Sequence, residues 1–138
     1  MDPLQPEIPG YVYRNRKEFE AETVYEVTVE ATGLPFGIAI ADILQSVPHL
    51  HRVTIETYTV VQGTLELRLD GERRMLQTGD VARIAPGVVH SARSIGARPA
   101  RITVTTIPEF SAADYVVADH DRPPVPPDAE AGDRISNG

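Results

Sequence analysis

The 138-residue sequence contains no cysteine. That absence excludes disulfide scaffolds, thiolate zinc sites, cysteine-ligated iron–sulfur clusters and cysteine nucleophiles together. Basic residues are scarce as well: thirteen Lys and Arg stand against twenty Asp and Glu, a formal charge of −7, and no basic cluster is longer than Arg73-Arg74. Such a field repels a phosphate backbone, so nucleic acid is not expected as a partner. No apolar run approaches the roughly 20 residues of a membrane-spanning helix. Residues 1–7 have neither a positive start nor an apolar stretch, so no membrane partner is expected and the expected location is cytoplasmic. Long helical patterns are also missing.

What is present is a hydrophobic fraction of 41%, ordinary for a globular chain, at a length suited to one compact domain. Proline marks both ends: Pro3, Pro6 and Pro9 lie near the start, and Pro123, Pro124, Pro126 and Pro127 open a polar tail. Residues 1–20 read as an extended or weakly ordered arm, 21–120 as the folded domain and 121–138 as a disordered tail with little apolar surface to offset its ordering entropy. Between the ends, runs rich in Val, Ile, Thr and Tyr at 23–30, 36–44, 51–61, 64–70, 73–76, 81–84, 88–95, 101–107 and 115–118 are separated by turn residues. This spacing predicts an all-β sandwich or barrel. Asp70-Gly71 is a hairpin signal, because a type I′ turn needs φ > 0 at both central residues. Alternation in the strand before it places Leu65, Leu67 and Leu69 inward and Glu66, Arg68 and Asp70 outward.

Histidine placement is the most informative feature. Two of the four histidines sit as His49-Leu50-His51, and His90 follows Pro86-Gly87. Residues two apart on a strand share a face, so both imidazoles of the pair reach one point, a spacing that suits a metal ion. Glu56 lies five residues beyond His51, an odd step, so a bulge or bend must re-aim it if it joins them.

The stretch from Ile43 to Gly63 reads His49-x-His51-x4-Glu56-x6-Gly63, and a second block runs from Gly79 through Pro86-Gly87 to His90. Together these resemble the two motifs of the cupin superfamily, over about residues 43–94. Ile43 stands where the family usually has glycine, Ala85 replaces the usual proline and Ser94 the usual asparagine, positions that bear on loop packing more than on ligation. The resemblance implies a double-stranded β-helix, or jelly-roll, barrel. It also implies one divalent metal per chain held by His49, His51, Glu56 and His90. Imidazole suits Fe, Ni, Cu and Zn, and the carboxylate keeps Mn competitive, with Mn or Fe favoured.

Cupins include sugar isomerases and epimerases, dioxygenases, decarboxylases, polyketide cyclases and pure binding proteins, so the fold does not fix the reaction. The implied function is a metal-dependent enzyme of isomerase, lyase or decarboxylase type that holds a small oxygenated substrate through two oxygens. The alternatives are an iron-dependent dioxygenase and a non-catalytic small-ligand-binding cupin. If Glu56 points inward, parity puts Tyr58 and Val60 on the same face, and Tyr58 is the candidate acid or base. Arg83 and Arg93 are candidate carboxylate clamps, Gln62 is expected to face solvent, and His120 is expected to be solvated. Gly63, Gly79 and Gly87 are expected to serve turns. A homodimer is expected, with residues 23–29 as an open edge strand for a second subunit to cover.

Overall fold

The computed structural model describes residues 15–28 and 33–119. His120, the 121–138 tail and the arm before residue 15 lie outside them. The described residues form eleven strands: β1 (Asn15–Phe19), β2 (Glu22–Glu26), β3 (Gly37–Ile43), β4 (His49–His51), β5 (Ile55–Gln62), β6 (Leu65–Leu69), β7 (Glu72–Leu76), β8 (Val81–Ile84), β9 (His90–Ser94), β10 (Ala100–Ile107) and β11 (Tyr115–Val117). A 3-10 turn over Ala112–Asp114 precedes β11, and the described residues contain no α-helix. All strand pairs are antiparallel, in a six-stranded sheet ordered β1-β2-β3-β10-β5-β8 and a five-stranded sheet ordered β11-β4-β9-β6-β7. This is the expected jelly-roll barrel.

The apolar alternation seen in the sequence builds the space between the sheets. Ala41, Ile43, Val60, Ala100 and Ile102 from one sheet meet Leu65, Leu67 and Ala92 from the other in a single buried cluster. The Asp70-Gly71 turn has φ of 49° and 86°, the type I′ signature expected of that dipeptide. Gly63, Gly79 and Gly87 also have positive φ, at +88°, +94° and +81°. A methyl at Gly63 would in addition lie 3.3 Å from the Ala100 Cα, whereas one at Gly79 would meet nothing within 4 Å. Gly79→Ala is therefore expected to cost about 1 kcal/mol from backbone strain, and Gly63→Ala about 2 kcal/mol or more from strain plus crowding. Urea unfolding of both variants checks this; equal losses would show that the Ala100 contact is harmless.

Two expectations need correction. The run at 23–29 is not an open edge, because β1, drawn from the segment read as an arm, pairs along β2 from Asn15↔Glu26 to Phe19↔Glu22. The chain itself covers the strand that was expected to receive a second subunit. The run at 51–61 is two strands in different sheets, broken at residues 52–54. Glu66 lies on the outer face of β6, as the alternation predicts, yet is 2% exposed, covered by arginine side chains rather than by protein bulk. Arg93 hydrogen-bonds its carboxylate, and Arg73 and Arg68 approach at 3.6 and 3.8 Å. Burial acts to raise its pKa, and these guanidinium groups outweigh that and lower it.

Candidate metal centre

The break at 52–54 is what brings the site together. β4 lies in the five-stranded sheet and β5 in the six-stranded one, so the chain changes sheet between His51 and Glu56 and the odd step no longer opposes them. Asp114, in the 3-10 turn, holds that crossing. Its carboxylate accepts hydrogen bonds from the backbone N–H of Arg52, Val53 and Thr54 at 2.9, 3.0 and 3.1 Å, and from the Thr54 hydroxyl at 2.6 Å. Burial alone would raise the Asp114 pKa; these bonds, led by the Thr54 hydroxyl, lower it. Beyond the crossing, His90 opens β9 directly across from His49. The hairpin turn helps place it: the Val89 N–H donates to the Asp70 carboxylate at 2.9 Å, and the Asp70 N–H donates to the Val89 carbonyl at 2.7 Å. The Gly87 N–H donates to the His51 carbonyl at 2.7 Å, fixing the Pro86-Gly87 loop against β4.

His49, His51, Glu56 and His90 are all buried, and one potential ligand atom from each lies within 4.8 Å of the others. All four expected ligands therefore converge. Their second contacts show which atoms are free to bind. His49 Nδ1 lies 2.8 Å from the Val47 carbonyl and His90 Nδ1 lies 2.9 Å from the Val88 carbonyl. A carbonyl only accepts, so each Nδ1 carries a hydrogen and the neutral ring turns an Nε2 lone pair to the centre. Metal-bound histidines characteristically donate their other ring N–H in this way.

His90 Nε2 is also 2.8 Å from Glu56 Oε1, and His51 Nε2 is 3.2 Å from the same oxygen. Two lone pairs at that separation repel, so either a further proton or a cation must sit among these atoms. The donor set thus fits a divalent ion. The electrostatics agree. Burial, reinforced by His90 and opposed by the Val47 carbonyl, pulls His49 down to about 4, so the ring is neutral and ready to bind at pH 7. In the metal-free cluster Glu56 drops to about 2: burial pushes it up, but hydrogen bonds from His51 and His90, which need the further proton in the place a cation would take, prevail.

Tyr58 lies on the face of Glu56, buried, with its ring 6.1 Å from that of His90. Burial first, then the Glu56 carboxylate, raises its phenol well above the usual range, so it stays neutral and keeps its hydroxyl hydrogen. The arginine expectations are corrected. Arg93 serves Glu66 on the outer surface, and Arg83 is exposed on β8 opposite Thr57, so neither reaches the site. Gln62 is exposed, as expected.

Sequence reasoning missed Asp114 and Tyr115. Tyr115 stacks on His49, with ring centroids 4.8 Å apart, and pairs with His51 in register. Nothing local in the sequence marks Asp114 or Tyr115.

The sequence profile of the cupin domain family matches residues 43–106. The chain carries a cupin domain. Two curated proteins resemble the cupin over shorter stretches. Quercetin 2,3-dioxygenase of Bacillus subtilis is 44% identical over 57 residues, 41% of this chain and 17% of that protein. An uncharacterized protein of Aquifex aeolicus is 46% identical over 48 residues, 35% of this chain and 40% of that one. The cupin therefore spans well under two thirds of either relative. Among solved structures, Pac13 of Streptomyces, a nucleoside dehydratase, superposes with a TM-score of 0.67 at 14% identity over 78% of this chain and 90% of its own. KdgF from Halomonas sp. gives 0.62 at 19% identity, over 72% and 90%. Both likenesses concern the fold.

Proposed function

We propose that this cupin is a metal-dependent enzyme of isomerase, lyase or decarboxylase type, acting on a small oxygenated molecule that binds through two oxygens. The observation that carries this reading is the buried set of His49, His51, Glu56 and His90, with two Nδ1 hydrogens turned away to carbonyls and lone pairs converging inside the barrel. Four protein donors leave an octahedral ion two open positions, the mark of a catalytic rather than a structural centre. Manganese and iron suit the donors best, and nickel, zinc and copper also fit. When bound, the ion stabilises negative charge developing on a substrate oxygen. The chain's own residues orient the molecule and exclude water: Tyr58 donates a hydrogen bond from the barrel wall, and Tyr115 holds the His49 ring by stacking.

Protein purified without added metal is expected to carry about one divalent ion per chain by elemental analysis. His51→Ala is expected to lose at least tenfold in metal affinity with its far-UV circular dichroism unchanged; metal content equal to wild type would overturn the reading. Tyr58→Phe is expected to keep the metal and to lower turnover by roughly 10²–10⁴-fold if the phenol joins the proton chemistry. A change under about threefold would return Tyr58 to the barrel wall. The second reading, an iron-dependent dioxygenase, is favoured by the similarity over 57 residues to quercetin 2,3-dioxygenase. Oxygen uptake by the iron-loaded protein in step with substrate loss would select it.

A further inference from the structure

The barrel wall beside Glu56 carries a polar group that packing does not explain. Strand register sets Glu56, Thr106 and Gly37 in one row across β5, β10 and β3. Thr106 alternates with Ile102 of the buried cluster and with Val104, which packs against it, and is itself 5% exposed, so its side chain faces the interior as that of Glu56 does. Its hydroxyl has no hydrogen-bond partner among the described residues. The nearby hydroxyl of Thr28 is engaged, accepting from the Ile38 N–H at 2.9 Å. Gly37 makes the room for the Thr106 hydroxyl: a Cβ built there would lie 2.5 Å from Thr106 Oγ1, 3.2 Å from the Phe110 nitrogen and 3.6 Å from Thr28 Oγ1. Phe110 in turn sets its ring edge-on to that of His51, with centroids 6.1 Å apart. The hydroxyl therefore lies level with one ligand, Glu56, and in a corner that Phe110 joins to a second, His51.

A buried hydroxyl without a partner is destabilising, and a valine of the same shape would avoid that penalty. A glycine inside a strand, where its φ is one that any residue adopts, weakens the strand further and often marks a close approach by another group. Both losses fall at the level of the metal centre. We propose that Thr106 is a specificity-determining residue of the site: its hydroxyl hydrogen-bonds a third oxygen of the small molecule whose first two oxygens bind the metal. This inference rests on the metal-centre reading above and narrows its substrate to one class, a hydroxy acid, keto acid or hydroxy ketone with a further hydroxyl or carbonyl oxygen on the carbon next to the chelating pair. Directly opposed residues on neighbouring antiparallel strands have Cα atoms about 4.5–5.5 Å apart, so a molecule held beside Glu56 comes within reach of the Thr106 side chain. A molecule lacking that oxygen leaves the hydroxyl buried and unpaired, which is the arrangement that discriminates best between otherwise similar ligands.

The test uses the full chain, stripped of metal and reloaded with zinc, as wild type, T106V and T106S. The probes are acetohydroxamic acid and glycolohydroxamic acid, which chelate alike through two oxygens; the second carries one more hydroxyl, on the carbon beside the chelating pair. Calorimetry gives both affinities for each protein. The preference of wild type for the hydroxylated probe, divided by that of T106V, is expected to be roughly 5–10-fold, the worth of one hydrogen bond in a desolvated site, and T106S is expected to retain it. A quotient within about twofold of one, with zinc and acetohydroxamic acid bound as in wild type, would overturn the role of Thr106 and leave the metal centre standing. Loss of the preference in T106S as well would assign the effect to packing and overturn that role too. Failure of wild type to hold zinc would overturn the metal reading and this inference with it. A second measurement needs neither metal nor probe: T106V is expected to unfold at a urea concentration equal to or above that of wild type, because it removes a buried hydroxyl that the fold leaves unpaired. A lower midpoint would show that the hydroxyl already serves the fold and would overturn the proposal.

Discussion

Asp114→Ala is expected to lower the folding stability of the chain by about 3 kcal/mol and to weaken metal binding by roughly 10–100-fold. The size follows from what the carboxylate holds. Three successive backbone N–H groups and one hydroxyl converge on it, and Thr54 is 2% exposed, so water cannot replace the lost acceptor there. The metal effect follows from where the segment lies. Residues 52–54 carry the chain from His51 to Glu56, so freeing them loosens the angle between two ligands. Urea unfolding and a competitive zinc titration measure the two losses. A stability loss with unchanged zinc affinity would mean that the crossing keeps its shape without Asp114. The pH dependence has a definite sign. Asp114 has its pKa lowered on folding, so its contribution is present above the unfolded value and is lost as pH falls through the folded value.

Glu22 works in the opposite direction. Its pKa is raised on folding from 4.5 to about 7, so the folded state holds the proton more tightly. Stability contributed by the protonated form is fully present below about 4.5 and is lost as pH rises through about 7. In metal-free protein at pH 8 the ionised carboxylate is expected to cost about 1–3 kcal/mol, allowing for its partial exposure. E22Q should therefore be more stable than wild type at pH 8 by that amount, with the gap closing by pH 4. Denaturant unfolding of both proteins at the two pH values, in the presence of a chelator, isolates the effect. A gap that is independent of pH would show that Glu22 titrates as an ordinary surface carboxylate. Zinc should narrow the gap at pH 8, because a cation beside Glu56 reverses the field that Glu22 feels.

Much of this architecture was legible from residue order. Alternation located nearly every strand, and residues 81–84 matched β8 to the residue. Asp70-Gly71 fixed its own turn type, because few other dipeptides tolerate two positive φ values. The ligands were legible because the histidines are few and their spacing is tied to strand parity. Parity also showed that something must happen between His51 and Glu56, though not what. The answer lies 60 to 62 residues away in Asp114, and such a contact leaves no local trace. The burial of Glu66 was hidden for a related reason: alternation reports which side of a sheet a residue occupies, and three arginines from β6, β7 and β9 can bury the outer side as well. The edge at β2 was misjudged because a polar, proline-flanked segment gave no sign that it would pair.

The wide spacing of the ligands also has a bearing on biosynthesis. His49 and His51 leave the ribosome well before His90, and the clamp on residues 52–54 arrives later still, with Asp114. A nascent chain that has only reached β5 offers an ion two imidazoles and a carboxylate on an unpaired, mobile segment, a weak chelator. The full set exists once β9 has paired with β4 and the 3-10 turn has closed over the crossing. Metal loading is thereby placed after β9 and the 3-10 turn have been made and packed, and the ion acquired reflects the pool met by the closed barrel rather than by the first two ligands.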